Sequence, residues 1–269
     1  MEGLGKCMKA VILAGGKGTR IAEESQYRPK PMVEIGNEPI LWHIMKRYGM
    51  YGVTDFIICC GYKGYVIKEY FLHYSTRCSS IHIDLEKEKI RSESSEAGNW
   101  NVTLANTGLE TLTAGRVQRI RKYLDEKEPF FLTYGDGVGD IDMDALLACH
   151  RKAHKTITIT ITKPAGRFGA VQIDEATGMV QGFKEKARKD QAYVNAGFMV
   201  CELGVFDYLG DGSEMLEADP FEALARDGEM NAYIHDGFWS PMDNIHDMRY
   251  LDSLARKDDV PWLVCGRDR

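Results

Sequence analysis

The sequence is poor in the features that would take a chain out of an aqueous compartment. Its longest apolar runs, such as Ala10 to Ala14 and Phe56 to Cys60, fall far short of the ~20 residues a membrane-crossing helix needs. Met1 to Cys7 has no apolar stretch and is expected to be a short N-terminal extension, neither signal nor transit peptide. An excess of positive charge is missing too. With 34 Lys and Arg against 40 Asp and Glu the net charge is −6, which excludes broad electrostatic recruitment to nucleic acid or anionic lipid. The seven cysteines are scattered and form no CxxC pair, so a zinc site or a dithiol redox site is not expected. Reduced, buried thiols in a cytoplasm are the expectation. No internal repeat or linker-like tract divides the chain, and residues 8–269 are expected to form a single domain.

What is present is a globular composition, 44% hydrophobic and 28% charged, enough for a core that needs no staples. Met8 to Leu13, Asp55 to Cys60 and Pro129 to Tyr134 are continuous apolar runs, the pattern of strands buried on both faces. Ile40 to Tyr48 and Val66 to Phe71 space their apolar residues at helical intervals. Strand and helix alternate, which predicts an α/β fold: a Rossmann-like, mixed but mostly parallel central sheet flanked by helices. Thr156 to Thr162 alternates strictly, and Phe168 to Ile173 and Tyr193 to Cys201 also read as strands; they are expected to extend the same sheet in antiparallel or mixed fashion. Glu217 to Arg226 and Asn244 to Arg256 have helical spacing, with Met230 to Ile234 as a short strand between them. The last helix is expected to close the fold. Ser92 to Asn99 is polar and small and reads as a loop.

Directly after the first strand comes Leu13-Ala14-Gly15-Gly16-Lys17-Gly18-Thr19-Arg20, with Pro29-Lys30-Pro31-Met32 about ten residues on. Three glycines let backbone N–H groups approach a phosphate without interference from a Cβ, and Arg20 and Lys30 add fixed positive charge. This reads as a polyphosphate cradle, with a simple strand-to-helix turn as the plainer alternative. It is not a P-loop, because no Gly-Lys followed by Ser or Thr stands at the required spacing, and it is not GxGxxG.

The segments KAVILAGGKGTR and RPKPMVEIGNEPILWHI resemble the signature of sugar-1-phosphate nucleotidylyltransferases, which join a nucleoside triphosphate to a sugar phosphate and release pyrophosphate. Further segments resemble the glucose-1-phosphate cytidylyltransferase branch: Cys59 to Tyr65, Trp100 to Thr103, Thr107-Gly108, Gly115-Arg116, Tyr134 to Gly137, Gly166 to Gly169 and Gly237 to Asp243. The likeness runs from residue 8 to about 262, and the WNVT and FWSPMD segments are its narrowest signals. It implies a nucleotidyltransferase or GT-A-like fold, CTP and a sugar 1-phosphate as substrates, Mg2+ as cofactor, and a homo-oligomer, trimer or hexamer. It also implies supply of a sugar nucleotide for deoxysugars of surface polysaccharide or a secondary metabolite.

Asp136 ends a buried strand, where an open α/β sheet presents its ligands; as an alternative it is a turn aspartate. The resemblance makes Asp243 the second metal carboxylate, although its PMDN context equally suits a helix N-cap. Two carboxylates completed by phosphates and water are the ligand set magnesium takes. The resemblance implies that Arg20 stabilises the leaving pyrophosphate, Lys30 the α-phosphate, and Lys186 the sugar phosphate. By the same likeness Leu13, Ala14, Gly15, Gly16, Gly18, Thr19, Arg116 and Gly135 would hold the nucleotide, and Gly169, Glu185, Asn195 and Trp239 the sugar phosphate. The charged members read alternatively as surface charges, Asn195 as a turn cap and Trp239 as core cover. Two positions depart from the family pattern: Ala187 stands where proline usually follows the lysine, and Ala114 where a second glycine is usual. His43, beside Trp42, is expected to be packed and not catalytic.

Three other readings compete. The same chemistry with UTP, dTTP or another sugar phosphate uses the same catalytic residues. A NAD-dependent oxidoreductase would need the third fingerprint glycine, which is missing at the right spacing. A non-catalytic nucleotide-sugar-binding protein would be expected to have lost Asp136, Lys30 or Arg20, and all three are kept.

Overall fold

The computed structural model describes residues 8–18, 27–92, 99–164, 170–173, 180–184 and 192–264. Its centre is a seven-stranded sheet in the order Met230–His235, Ile157–Thr162, Val194–Cys201, Phe130–Tyr134, Lys9–Ala14, Asp55–Cys60 and Asn101–Asn106. Lys9–Ala14 pairs in parallel with Asp55–Cys60 on one side and Phe130–Tyr134 on the other. Val194–Cys201 is antiparallel to both of its neighbours, while Ile157–Thr162 and Met230–His235 run parallel to each other. Six strands thus share one direction and one opposes them, so the mostly parallel α/β sheet is as expected.

The apolar runs are continuous because the sheet is covered on both faces. Ala10, Ile12 and Ala14 enter the core layer built with Ile40, Leu41, Ile44 and Tyr48. Val11 and Leu13 point the other way, into a layer with Val117, Ile120, Leu132 and Met199. The period-two alternation of a strand does the sorting. The helix Ile40–Gly49 buries Ile40, Leu41, Ile44, Met45 and Tyr48, and the helices Gly64–Leu72, Asp219–Arg226 and Ile245–Ala255 form where the spacing predicts them.

Several elements have no counterpart in the pattern reading, among them the edge strand Asn101–Asn106 and the helices Thr113–Ile120 and Met143–Ala153. One strand is placed differently from expectation. Ala170–Ile173 does not extend the central sheet; it pairs antiparallel with Val180–Lys184 in a separate two-stranded ribbon. A strand that close in sequence to an antiparallel partner needs only a short connection to satisfy its backbone, and the alternation cannot say which partner takes it. Of the expected loop at 92–99, residues 93–98 lie outside those described.

Cys59, Cys60 and Cys201 are buried, and burial pushes the Cys60 thiol up to about 11. Cys78 is exposed and Cys149 half-buried, so the expectation of buried thiols fails at Cys78, which lies after the four-residue helix Tyr74–Arg77 where no core residue is buried. Among the described residues no helix is long and apolar enough to cross a membrane.

His43 is packed, as expected. Trp262, fully buried in the turn Pro261–Leu263, donates its indole N–H to His43 Nδ1 at 3.2 Å. The other ring nitrogen, Nε2, then carries the proton and donates to the Ile35 carbonyl at 2.9 Å. Burial lowers the pKa of this imidazole to about 4. Nearby, the buried Arg47 guanidinium donates to the carbonyls of Asp140, Ile141 and Val264, tying the helix Ile40–Gly49 to two distant segments.

Candidate active site

The glycine-rich segment leaves the carboxyl end of Lys9–Ala14 beside the ends of three other parallel strands, and backbone bonds continue past them. Gly135 N donates to Leu13 O at 3.1 Å, Tyr62 N to Gly15 O at 3.0 Å and Thr107 N to Cys60 O at 2.9 Å. A cleft of about 380 Å³ opens on this rim. Leu13, Ala14, Gly15, Gly16, Gly18, Gly135 and Arg116 line it together with Lys30, Asp136 and Asp243. Residues more than 200 positions apart in the chain are therefore gathered as the sequence led one to expect. Thr19 and Arg20 lie outside the described residues.

Arg116 borders the cleft, but its guanidinium is committed to the protein. It donates from Nη1 to Thr107 Oγ1 at 2.7 Å and Gly108 O at 2.9 Å, and from Nη2 to Gly15 O at 2.9 Å. The Thr107 hydroxyl in turn donates to Cys60 O at 2.8 Å. One buried side chain thus fastens the loops after two strands and, through Thr107, the end of a third. Gly15 and Gly61 make this possible, since a Cβ at either would overlap the guanidinium. Ala114, the departure from the family pattern, is wholly buried among Val117 and Ile120 on the same helix and does not line the cleft.

Lys30 sits in the short 3₁₀ turn Lys30–Met32. Its Nζ donates to Asp136 Oδ2 at 2.7 Å and to Asp243 Oδ1 at 2.9 Å, and its side chain is 11% exposed. Burial alone would lower the pKa of this ammonium; the charges of Asp136 and Asp243 and the hydrogen bonds to them outweigh that and leave it raised. The two carboxylates meet because Trp239–Pro241 pairs antiparallel with Gly137–Gly139 and Met242 N donates to Asp136 O at 2.8 Å. The alternative of Asp243 as helix cap is not what the chain does. Asn244 caps Ile245–Ala255, accepting from His246 N and Asp247 N at 2.9 and 3.0 Å.

The residues fit a divalent cation of the magnesium type. Asp136 Oδ2 and Asp243 Oδ1 converge on one cationic centre, both are hard oxygen donors, and among the described residues no group of three His, Cys, Asp or Glu could make an all-protein cage. Two carboxylates plus oxygens from a phosphate ligand are what Mg2+ accepts.

A second cleft, of about 230 Å³, shares Tyr134, Asp136 and Asp243 with the first and is lined by Asn195 and Trp239. The two predicted sugar-side residues are thus separated from the glycine loop but joined to it at the carboxylate pair. Trp239 donates its indole N–H to Ala196 O at 2.8 Å, and Asn195 Oδ1 accepts from Gly197 N at 2.8 Å, which is the turn-capping alternative realised in one of its two polar ends. Gly169, Glu185, Lys186 and Ala187 lie outside the described residues.

Sequence reasoning missed Thr111, Leu112, Thr113, Tyr134 and Met215, which complete the larger cleft. Leu112 and Met215 are 45% and 51% exposed and offer apolar surface to a planar ligand. Tyr134 alone carried a signal, standing directly before the Gly-Asp-Gly turn.

The nucleotidyl transferase family model matches residues 9–249 of the chain. The glucose-1-phosphate cytidylyltransferase of Salmonella typhi is 47% identical over 255 residues, spanning 95% of this chain and 98% of that protein. A probable glucose-1-phosphate cytidylyltransferase of Bacillus subtilis is 40% identical over 258 residues, 96% of this chain and all of its own. Among solved structures, a putative glucose-1-phosphate thymidylyltransferase from Bacillus anthracis in complex with sucrose superposes with a TM-score of 0.66 at 16% identity, covering 94% of this chain and 97% of its own. At that identity the superposition speaks for the fold alone.

Proposed function

Because the chain belongs to the nucleotidyl transferase family, we propose that it transfers the cytidylyl group of CTP to α-D-glucose 1-phosphate, giving CDP-glucose and pyrophosphate. The observation that carries the chemistry is Lys30, held by Asp136 and Asp243 where the two clefts join. The choice of CTP and glucose 1-phosphate rests on the near full-length likeness to proteins named for that reaction.

A sugar-phosphate oxygen attacks the α-phosphorus, and the bond to the bridging oxygen breaks as pyrophosphate leaves. The attacking monoester is already ionised near neutral pH, its second pKa being ~6, so a general base is unnecessary. The barrier lies in bringing anions together, and positioned cations lower it. The glycine loop offers backbone N–H groups to the triphosphate, Lys30 donates to the α-phosphate, and Arg20 and Lys186 serve the leaving group and the sugar phosphate. Asn195, Glu185, Gly169 and Trp239 orient the sugar. Mg2+ held by Asp136 and Asp243 would neutralise charge on the phosphates. The same reading places the protein in the cytoplasm as a homo-oligomer that supplies a sugar nucleotide for deoxysugar and polysaccharide synthesis. In favour of an oligomer, the ribbon of Ile81–Asp84 and Lys89–Ser92 pairs Ile83 with Ile90, and both are well exposed.

The test is pyrophosphate release with Mg2+ across CTP, UTP, dTTP, ATP and GTP against glucose, galactose, mannose and N-acetylglucosamine 1-phosphates. A dominant signal for CTP with glucose 1-phosphate is expected. Activity confined to another pair would move the specificity, and silence throughout would sink the enzymatic reading.

A further inference from the structure

The position of Lys30 has a consequence for how the site is loaded. Its Nζ lies 2.7 Å from Asp136 Oδ2 and 2.9 Å from Asp243 Oδ1, so it occupies the space between one oxygen of each carboxylate. Magnesium binds oxygen at ~2.0–2.1 Å and keeps near-octahedral geometry. An ammonium and a divalent ion cannot both sit between the same two oxygens. The lysine is no casual surface partner either: its side chain is 11% exposed against 38% and 33% for the two carboxylates, so the cation is the buried member and the carboxylates remain open to the cleft. The glycine loop runs directly beside it: a Cβ at Gly18 would lie 3.1 Å from Lys30 Cβ.

Taking a buried ammonium from its carboxylates without a replacement anion is strongly unfavourable. The cleft that Lys30 lines also holds the glycine loop, so a nucleotide phosphate bound there would bring an anion within reach of the same Nζ. We propose that Lys30 is an exchangeable counterion: in the nucleotide-free protein it holds the two carboxylates that would take the divalent cation, and it gives them up only when a phosphate is there to receive it. Cation and nucleotide therefore load together, and the movement that frees the carboxylates is the one that delivers Lys30 to the phosphate. The proposal rests on Asp136 and Asp243 being the metal carboxylates.

The test is Mn2+ binding to the full-length protein, followed by water-proton relaxation, with and without the non-hydrolysable α,β-methylene analogue of CTP. Wild-type protein without analogue should bind Mn2+ about tenfold or more weakly than with it, within the usual range of coupling between two ligands. K30M, or K30Q if the first does not fold, should bind Mn2+ without analogue about tenfold more tightly than wild type. The melting temperature of the variant should also rise with Mg2+ alone, and that of wild type should not. Equal Mn2+ affinity of nucleotide-free wild type and variant, or wild-type affinity unchanged by the analogue, would overturn the proposal. Separately, if D243N binds Mn2+ with the analogue as wild type does, or no form binds it, the metal reading itself fails.

Discussion

Lys30 holds two carboxylates at 2.7 and 2.9 Å in the nucleotide-free protein, and in the proposed reaction it has a second task. In the proposed mechanism it would face charge that grows on the α-phosphate oxygens as the new bond forms, and an interaction stronger in the transition state than in the ground state appears in kcat. Lys30→Ala is therefore expected to lower kcat by about 10²–10³, the scale for removing one such donor, with a smaller rise in KM; steady-state kinetics with CTP varied reads both. A change confined to KM would make Lys30 a ground-state clamp. Asp136→Asn and Asp243→Asn should each cut turnover by orders of magnitude at saturating Mg2+ while circular dichroism stays that of wild type. Near wild-type turnover in either would take that residue out of the metal site. These three residues were legible because each stands in a short local signature, Pro-Lys-Pro, Gly-Asp-Gly and Pro-Met-Asp. Arg47 was not, since its partners are carbonyls about 90 and 217 positions away, and a carbonyl has no side-chain signature.

At the scale of elements, the glycine loop and the helix Thr113–Ile120 act as one unit through Arg116. The contrast between adjacent glycines exposes it. A Cβ at Gly15 would overlap the Arg116 guanidinium, while one at Gly16 would meet nothing within 4 Å. Gly15→Ala should therefore cost about 1–3 kcal/mol of stability, the scale of overpacking a filled site, and Gly16→Ala should stay within about 0.5 kcal/mol. Urea unfolding of the two variants against wild type measures the difference, and equal costs would mean that Arg116 swings aside freely. Long apolar runs with plain periodicity were readable: Lys9–Ala14, Asp55–Cys60, Phe130–Tyr134 and the helix Ile40–Gly49. The helix Thr113–Ile120 was not, because it has eight residues and a glycine within it, and its apolar face of Ala114, Val117 and Ile120 is too brief for a period to stand out. Met143–Ala153 carries a start signal, Asp142 accepting from Ala145 N at 2.9 Å, and buries Met143, Leu146, Leu147 and His150. The glycines after the first strand read as a phosphate cradle or a plain turn, but that one of them makes room for an arginine 101 positions on is a tertiary fact.

For the molecule as a whole, stability against acid turns on groups buried without charge. His43 ties three parts of the chain together: it sits on the helix Ile40–Gly49, donates to Ile35 O and accepts from Trp262 Nε1. Its pKa is about 4 in the folded protein, with burial as the cause, against ~6.5 in an unfolded chain. Between these values the unfolded chain binds the proton and the folded one does not, so acid favours unfolding. The full contribution is present above pH 6.5 and is lost as pH falls from there towards 4. Two and a half units at ~1.4 kcal/mol each put the loss at about 3 kcal/mol. His150, whose pKa is also lowered by burial against the opposing pull of Glu202, acts in the same direction. Urea unfolding at pH 7 and pH 4.5 is thus expected to show a marked fall for wild type. His43→Gln, which cannot titrate, should be less stable at pH 7, because its shape does not match the ring, and yet show a shallower slope with pH. An unchanged slope in the variant would place the acid sensitivity elsewhere. A flatter one would show that protonation of the buried His43, held between Ile35 O and Trp262 Nε1, carries part of the acid sensitivity of the whole fold.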